Sequence, residues 1–521
     1  MLYMLRITLL ATAISFSSSV WAQEFSGKYA DSLVQRVLTT FDVPGIAVAV
    51  IHNDSIIHLK GYGVRSLKTQ SPVDANTLFG IASNSKAFTS AALAMLVDEG
   101  RIQWDDRVTD YLPAFKMYDP YVTAHFTIRD LLTHRSGLGL GAGDLMMFPD
   151  SNNFTRKDIL HNLRYLKPVS DYRTKFDYDN NLYIVAGEVI AAVSGMSWED
   201  FIETRIMRPL GMKNSAASFY RIGQQPNVAM PHAPVNGKIN QIEIGWSETA
   251  NAAGGIYSSV TELSEWVRMQ LRGGSFGTPS RQLFSKEQQQ EMWTPQTILP
   301  TGTSAPYYTH FASYGLGWFL SDIKGYKQCM HTGGLAGMVT QVTLIPELKL
   351  GIIVLTNQQS GAAFTAITNS IKDRFLGISG YDRVKMGAAR VQQQQSEADS
   401  ITRNIWKQVR PHSAEGFAAD SSRYCRNYTD AWFGDVSVYS KNGRLHFKSS
   451  RSLKLHGLLH YYKGNTFVAE WPDRSMDADA FVQFRLDAEG KAEGFTMKAI
   501  SPMTDFSFDF QDLDFKSASA H

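Results

Sequence analysis

The chain has 521 residues, of which 44% are hydrophobic and 12% are aromatic, so it can bury the cores of more than one domain. Its 51 basic and 49 acidic side chains leave a formal net charge of +2. The sequence contains no basic stripe and no acidic tail, which argues against nucleic acid as a partner. This composition is typical of a globular protein that acts on, or binds, some other kind of molecule.

The first 22 residues have the pattern of a secretory signal peptide. Arg6 precedes an apolar run at residues 7–20 that is interrupted only by Ser and Thr. Val20 and Ala22 then place small residues at the −3 and −1 positions of a cleavage site. The run is short for a membrane span, which needs about 20 apolar residues. We therefore expect cleavage after Ala22 and an exported chain without a membrane span, with the periplasm as its destination.

Residues 23–380 have the pattern of one α/β domain. An apolar run at residues 45–51, followed by a turn and a second apolar run, predicts a hairpin near the start. Another apolar strand lies at residues 350–355. Helical periodicity is strongest at residues 86–98, 181–193 and 261–271. Strands at both ends with helices between them predict a sheet that joins the two ends of the domain.

The pattern changes after residue 380. Residues 381–410 are polar and charged, contain a run of four glutamines and are compatible with a helix, so we interpret them as a linker. In residues 411–521 short alternating strands follow one another. Asn442-Gly443 lies between two such strands and is a strong signal for a β-hairpin. We therefore predict a separate antiparallel β domain in this part of the chain, a small barrel.

Two cysteines, Cys329 and Cys425, are too few for a disulfide framework. An oxidising compartment would allow one bond between them, and the sequence leaves this point open because it gives no distance. The 13 histidines show no H-x-x-x-H pair on a helix, and the chain has no C-x-x-C pair. We therefore expect neither a metal ion nor another cofactor.

Ser83 and Lys86 are a candidate nucleophile and base. They lie three residues apart at the start of a predicted helix, which places them on one face about one turn apart. A serine hydroxyl is a poor nucleophile until a base takes its proton, and a lysine whose pKa is lowered by burial can be that base. The spacing alone is weak, because Ser321 and Lys324 share it. That second pair lies in a predicted hairpin turn with no helix after it, so we assign it no role.

Two more positions strengthen the candidate site. Tyr178 and Asn180 directly precede a predicted helix, where a tyrosine can relay a proton to a leaving group and an amide can hold a substrate carbonyl. His331 lies on a predicted strand, and Gly333 and Gly334 after it would let a substrate backbone approach closely. Each of these residues, considered alone, is more often structural than catalytic.

Three elements, in this order, resemble the catalytic motifs of the serine β-lactamase and penicillin-binding superfamily: Ser83-x-x-Lys86, Tyr178-x-Asn180 and His331-x-Gly333. The resemblance covers residues 30–375 and is closest to class C β-lactamases, DD-peptidases and S12 peptidases. The region beyond residue 410 is similar to the lipocalin-like domain of some S12 peptidases. The resemblance implies a β-lactamase/transpeptidase-like catalytic domain, an antiparallel sheet flanked by helices, followed by an all-β lipocalin-like barrel.

The resemblance also implies catalytic roles. Ser83 would be the acylated nucleophile, and Lys86 would help to deprotonate it. Tyr178 would act as general base and acid, in a duty shared with Lys86. The backbone N–H groups of Ser83 and Gly334 would form the oxyanion hole, in which loss of one donor typically costs about 2.7–4 kcal/mol of barrier.

Substrate binding is assigned in the same way to Asn180, His331 and Gly333. Asn180 would position the substrate amide. His331 stands where β-lactamases usually have a lysine, and a histidine is ordinarily charged only below about pH 6.5. This departure favours a peptidase over an efficient β-lactamase, because the permanent charge for the β-lactam carboxylate is missing.

The sequence thus predicts an exported serine hydrolase that acts on small peptides or D-amino-acid derivatives. A class C-like β-lactamase and a carboxylesterase remain open as alternatives, since the same machinery cleaves all three bonds. A non-catalytic protein that binds cell-wall fragments is a further alternative. The C-terminal domain could serve assembly or substrate gating, and the sequence leaves the oligomeric state undetermined.

Overall fold

The computed structural model describes residues 25–414 and 421–518. The predicted signal peptide and its cleavage site lie outside the described residues. Two units follow each other along the chain: a mixed domain built on a large sheet, and a closed β-barrel.

The first unit is built on an eight-stranded antiparallel sheet. The first strand is apolar and almost wholly buried, because the sheet is covered by helices on both faces. It pairs with the last strand of the domain, Ile46 opposite Thr356, which confirms that the sheet joins the two ends. Along the sheet the strands are Ser55–Gly63 (β2), Gly45–His52 (β1), Leu350–Thr356 (β14), Met338–Ile345 (β13), Tyr326–Leu335 (β12), Phe319–Ile323 (β11), Ala312–Tyr314 (β10) and Thr297–Leu299 (β9).

Three two-stranded ribbons complete the strands of this domain: Phe79–Gly80 (β3) with Tyr257–Ser258 (β6), His232–Val235 (β4) with Lys238–Gln241 (β5), and Ser275–Phe276 (β7) with Arg281–Gln282 (β8). The predicted hairpin turn at residues 321–324 is present, because β11 and β12 pair through Ile323 and Tyr326.

Helices cover the sheet and fill the space between its two ends. The predicted helices at residues 86–98, 181–193 and 261–271 are confirmed. In chain order the helices are Gly27–Thr40 (α1), Ser85–Asp98 (α2), Val108–Tyr111 (α3), Pro120–His125 (α4), Ile128–Leu131 (α5), Arg156–Asn162 (α6), Asn181–Ser194 (α7), Trp198–Phe201 (α8), Asn251–Gly254 (α9), Val260–Leu271 (α10), Lys286–Met292 (α11), Gly361–Phe375 (α12) and Arg383–Ala414 (α13).

The helix α2 lies at the centre of the domain. Every residue from Ser85 to Leu96 is buried, so this helix has no solvent-facing stripe. A helix that is buried all round desolvates any polar side chain it carries.

The segment predicted as a linker, residues 381–410, is largely helical and belongs to the 32-residue helix α13. Alanine, glutamine and arginine are frequent in it, and these residues favour helix. Near its end, Val409 packs against Val468 and Ile500 of the second unit.

The second unit is a closed antiparallel barrel, which confirms the predicted small barrel, and it has eight strands. Its lumen is filled by rings: the side chains of Tyr428, Phe447, Phe484, Phe495 and Phe515 are buried and contact one another. The strands are Arg426–Asp430 (β15), Gly434–Lys441 (β16), Arg444–Ser449 (β17), His456–Lys463 (β18), Thr466–Glu470 (β19), Ala480–Leu486 (β20), Ala492–Ala499 (β21) and Asp514–Ser517 (β22).

The barrel docks directly on the first unit. Arg451 reaches Asp158 at 3.0 Å, and Lys454 reaches Asp150 at 2.7 Å. Asn162 donates a hydrogen bond of 2.7 Å to a backbone carbonyl of the barrel. Charged and polar contacts therefore fix the barrel against residues 150–162.

The two cysteines are unpaired, with Cys329 buried in β12 and Cys425 partly buried beside the barrel. Within residues 25–414 and 421–518, no helix is at once long enough and apolar enough to cross a membrane.

Candidate active site

Ser83 lies in a short 3-10 turn, Ala82–Asn84, that leads into α2. Ala82 has a φ of +49°, a region that L-residues with a side chain seldom adopt. Such strain persists only where the surroundings enforce it. Here Thr340 of β13 holds the turn by donating to the carbonyl of Ile81 at 2.9 Å and accepting from the side chain of Asn84 at 2.9 Å.

Lys86 stands one helical turn after Ser83 and makes three contacts through its Nζ atom. The distances are 3.1 Å to Ser83 Oγ, 2.7 Å to Asn180 Oδ1 and 2.9 Å to the backbone carbonyl of Ala253. The rings of Tyr178 and Tyr183 flank the same atom, with centroids at 4.8 and 5.1 Å. The structure therefore brings three of the predicted site residues, Ser83, Lys86 and Asn180, into direct contact.

The surroundings of Lys86 favour the neutral amine. Burial lowers the pKa of Lys86 to about 7, although the nearby carboxyls of Asp144 and Asp179 act in the opposite direction. Two of its three partners, the Asn180 and Ala253 oxygens, can only accept hydrogen bonds. The ammonium form donates to all three oxygens; once it has lost a proton, its two N–H groups can stay on these two acceptors and its lone pair can face the Ser83 hydroxyl. This is the geometry that a general base requires.

Tyr178 is placed beside this pair but stays protonated. Burial raises the pKa of its hydroxyl well above the usual value, and a hydrogen-bond interaction with Ser83 opposes this only in part. At neutral pH the Tyr178 phenol is therefore a proton donor, while Lys86 is the group that can lose its proton.

The His134 ring packs against the ring of Tyr178. It is fully buried, and its ring lies 4.2 Å from that of Tyr178. Its Nδ1 accepts a hydrogen bond of 3.0 Å from the backbone N–H of Asp179. Burial, with Lys86 and His331 nearby, lowers its pKa well below the ordinary value. His134 is thus a neutral packing partner that fixes the position of the Tyr178 ring.

Asp179 should make the stability of the protein depend on pH. Burial raises its pKa to about 7, while backbone N–H groups lower it in part. Such a group stabilises the fold below its unfolded pKa of 3.8, and this contribution is lost as the pH rises to about 7. Asp179→Asn, which does not ionise, should therefore melt several degrees above the wild type at about pH 8 but not at about pH 4. Circular dichroism melting curves test this, and an equal difference at both pH values would contradict it.

His331 lies on β12 and is held neutral. Its Nδ1 is 2.6 Å from the carbonyl of Thr332, so it carries the proton, and its Nε2 accepts from the Tyr314 hydroxyl at 2.9 Å. Burial and the nearby Lys86 lower the pKa of His331 to about 3. The side chain therefore carries no positive charge at neutral pH. Its pKa lies further below neutrality than the ordinary histidine value of about 6.5 that is expected from the sequence.

Gly333 and Gly334 occupy the same strand next to the Ser83 turn. A Cβ at Gly333 would lie 2.2 Å from the carbonyl of Ile81, so only glycine allows this close approach. A Cβ at Gly334 would meet nothing within 4 Å, and this residue is exposed. The strand thus presents an open edge beside Ser83, where a substrate backbone can lie.

Several residues that complete the site were not identified as functional from the sequence. Tyr314 bonds His331, the carbonyl of Ala253 bonds Lys86, and Asp144 accepts a hydrogen bond of 2.8 Å from the Asn180 side chain. Two further sequence blocks, residues 253–258 and 314–318, also resemble the superfamily; they contain Ala253 and Tyr314 and are the signal that the sequence holds for these two residues. Asp144 lies in no such block.

The described residues contain no cluster of three or more His, Cys, Asp or Glu side chains that could hold a metal ion. A hydroxyl, an amine and a phenol surround the point where the scissile carbonyl would lie. This arrangement defines a serine hydrolase-type site, in which a side-chain oxygen attacks and a neighbouring nitrogen takes its proton.

Comparison with known proteins agrees with this class. The family model described as Beta-lactamase matches residues 30–373, and a domain of unknown function, DUF3471, matches residues 415–517. The chain therefore belongs to the beta-lactamase family, with a second conserved domain type that corresponds to the barrel.

One relative is the unguisins hydrolase ungD of Aspergillus violaceofuscus. It is 30% identical over 374 residues, which is 67% of this chain and 65% of the relative. The chain thus matches just under two thirds of that relative's length.

Two solved structures share the fold. An octameric penicillin-binding protein homologue from Pyrococcus abyssi aligns over 94% of this chain and 99% of its own, with a TM-score of 0.61 and 20% identity. A class C beta-lactamase aligns over 68% of this chain and 96% of its own, with a TM-score of 0.55 and 21% identity. The first alignment includes the barrel, whereas the second covers a share close to that of the catalytic domain alone.

Proposed function

We propose that the chain is an exported serine hydrolase that forms an acyl-enzyme on Ser83. The observation that carries this proposal is the environment of Lys86, whose completely buried Nζ lies 3.1 Å from Ser83 Oγ. We further propose that the enzyme is a peptidase or amidase of S12 type, acting on small peptides or D-amino-acid derivatives. Membership of the beta-lactamase family, and a relative that is named a hydrolase, support the reaction class.

Acylation begins with proton transfer from Ser83 Oγ to Lys86 Nζ. The oxygen attacks the substrate carbonyl, and the backbone N–H groups of Ser83 and Gly334 stabilise the resulting oxyanion. The leaving nitrogen takes the Tyr178 phenol proton, and Lys86 returns its extra proton to Tyr178. The C–N bond breaks, and the acyl group stays on Ser83.

Deacylation runs through the same groups. A water molecule gives a proton to Lys86 and attacks the ester carbon. The C–O bond to Ser83 then breaks, and the proton returns to Ser83 Oγ. Asn180 contacts Lys86 throughout, so it orients the base as well as the substrate amide.

The neutral His331 favours a peptide over a β-lactam antibiotic. A cation at this position would attract the carboxylate of a β-lactam, but the pKa of His331, about 3, leaves the imidazole uncharged at neutral pH. A substrate without a free carboxylate at this point is therefore recognised without a penalty.

A panel of chromogenic substrates tests the assignment. We expect kcat/KM for D-alanyl p-nitroanilide to exceed that for a chromogenic cephalosporin by at least about tenfold, because a single lost charge contact to a substrate is worth roughly 1.5–3 kcal/mol. Faster turnover of the cephalosporin would instead assign the chain to the β-lactamases. Turnover of p-nitrophenyl esters alone would assign it to the carboxylesterases.

A further inference from the structure

One segment of the barrel reaches the catalytic centre of the other domain. We call residues 501–513, which connect β21 to β22, the clasp. The clasp extends away from the barrel and contacts Tyr178. The ring of Phe506 meets that of Tyr178 edge-on, with centroids 5.8 Å apart. A Cβ at Gly141 would lie 2.7 Å from the carbonyl of Phe506, so the two backbones nearly touch.

Asp509 of the clasp is hydrogen-bonded to a backbone turn of the catalytic domain. Its two carboxyl oxygens accept hydrogen bonds from the N–H groups of Gly143, at 2.5 Å, and Leu145, at 2.9 Å. The side chain is completely buried. Asp144 lies between Gly143 and Leu145 in the chain. The two hydrogen bonds of the buried Asp509 carboxyl therefore fix the backbone on both sides of Asp144.

Asp144 connects the clasp to the catalytic residues. Its Oδ2 accepts two hydrogen bonds of 2.8 Å, one from the side chain of Asn180 and one from the hydroxyl of Ser507 in the clasp. Asp144 is completely buried, and Ser507 is 6% exposed. A continuous chain of hydrogen bonds therefore runs from Lys86 through Asn180 and Asp144 to Ser507.

The donor-to-acceptor direction of these hydrogen bonds decides how the Asn180 amide is oriented. An amide has a donor end and an acceptor end of nearly the same shape, so packing alone does not choose between them. Because Asp144 Oδ2 is an acceptor here, the NH₂ group of Asn180 must face it, and the amide oxygen faces Lys86. A reversed amide would direct its N–H groups at the N–H groups of Lys86 and remove one of the two acceptors that the neutral amine needs.

We propose that Asp144, Ser507 and Asp509 are positioning residues, through which the C-terminal domain sets the orientation of the Asn180 amide and thereby of the base Lys86. The barrel is then a working part of the catalytic site rather than an attached module. This inference rests on the proposed function, because it gives Lys86 the role of base for Ser83.

The role of Asp144 does not require a charge. Burial and the nearby Asp179 raise its pKa well above the ordinary value. Its Oδ1 has no hydrogen-bond partner among the described residues, so a proton can reside there while Oδ2 still accepts both bonds. An asparagine at this position also offers one carbonyl oxygen and should serve the same purpose.

The test measures the rate of Ser83 acylation by benzylpenicillin, by intact mass, as a function of pH in the full-length protein. Asp144→Leu should lower the plateau rate at least about a hundredfold and move the midpoint below the wild-type value near pH 7, because a reversed amide disfavours the ammonium form. Ser507→Ala should lower the plateau about two- to tenfold, the usual value of one hydrogen bond. Asp144→Asn should restore most of the wild-type rate.

Ser437→Ala is the matched control, because the Ser437 hydroxyl donates to Asn427 within the barrel, at 2.7 Å. It should leave both plateau and midpoint unchanged. The inference is overturned if the wild type is acylated and all three variants, Ser507→Ala, Asp144→Asn and a folded Asp144→Leu, are acylated at the same rate as the wild type. Should Asp144→Leu not fold, an unchanged rate in Ser507→Ala overturns it instead. If benzylpenicillin does not acylate the wild type, kcat/KM for D-alanyl p-nitroanilide is measured for the same variants instead. A wild type that neither forms the adduct nor hydrolyses the anilide would count against the proposed function itself.

Discussion

Ser83→Ala is expected to abolish formation of a covalent adduct with benzylpenicillin and to lower amide hydrolysis by about 10⁴-fold or more, the usual effect of removing a nucleophile. In the wild type, a mass increase should map to the peptide that contains Ser83. Its lifetime separates two enzyme classes, since rapid loss is typical of a β-lactamase and persistence is typical of a peptidase-like site.

The second pair with the same spacing provides the control for this variant. Ser321 lies on β11, and its hydroxyl accepts a hydrogen bond of 3.2 Å from Gln328. Ser321→Ala should be acylated at the wild-type rate. An adduct that persists in Ser83→Ala, or that disappears in Ser321→Ala, would contradict the assignment of the nucleophile.

Lys86→Met is expected to lower kcat/KM by about 10²- to 10⁴-fold, the range for loss of a general base. In the wild type only the neutral amine can take the Ser83 proton, so the rate should rise with pH and level off above a pKa of about 7. The variant should lose this rising limb, because it lacks the group with a pKa near 7 that contacts Ser83.

Lys372 is the matched control for Lys86. Burial lowers the pKa of Lys372 to about 7 as well, but its Nζ donates to Gln328 at 2.7 Å and lies on α12, in another part of the core. Lys372→Met should keep the rising limb near pH 7. A limb that survives in Lys86→Met and is lost in Lys372→Met would show that the wrong lysine had been assigned as the base.

The parts of the site that could be predicted from the sequence are those set by local spacing. Ser83 and Lys86 are one helical turn apart, and Tyr178 and Asn180 lie just before α7, so short-range geometry places each pair. Their catalytic roles came from the resemblance to the superfamily, because the spacing alone is weak. The α/β domain followed from apolar strands at both of its ends, and the separate β domain from alternating strands around Asn442-Gly443. The β-lactamase/transpeptidase-like fold and the lipocalin-like barrel came from the resemblance.

The contacts that orient the base could not be predicted in this way. Asp144 and Ser507 are 363 residues apart in the sequence, and no periodicity connects a serine in a barrel loop with a carboxyl in another domain. The helix α13 illustrates a related difficulty: the composition of residues 381–410 is compatible with both a linker and a helix, and only packing against Val468 and Ile500 shows what the segment rests on.

The ring-filled lumen of the barrel changes how defects in this protein should be interpreted. Barrels that carry small molecules keep their interior open, whereas buried, contacting rings such as those of Tyr428, Phe495 and Phe515 occupy the interior of this one. If the barrel positions Asn180 as proposed, a substitution that loosens the packing of Phe495 or Phe515 should lower turnover while Ser83 itself stays intact. A screen for inactive variants should then recover substitutions in the barrel as well as in the catalytic residues.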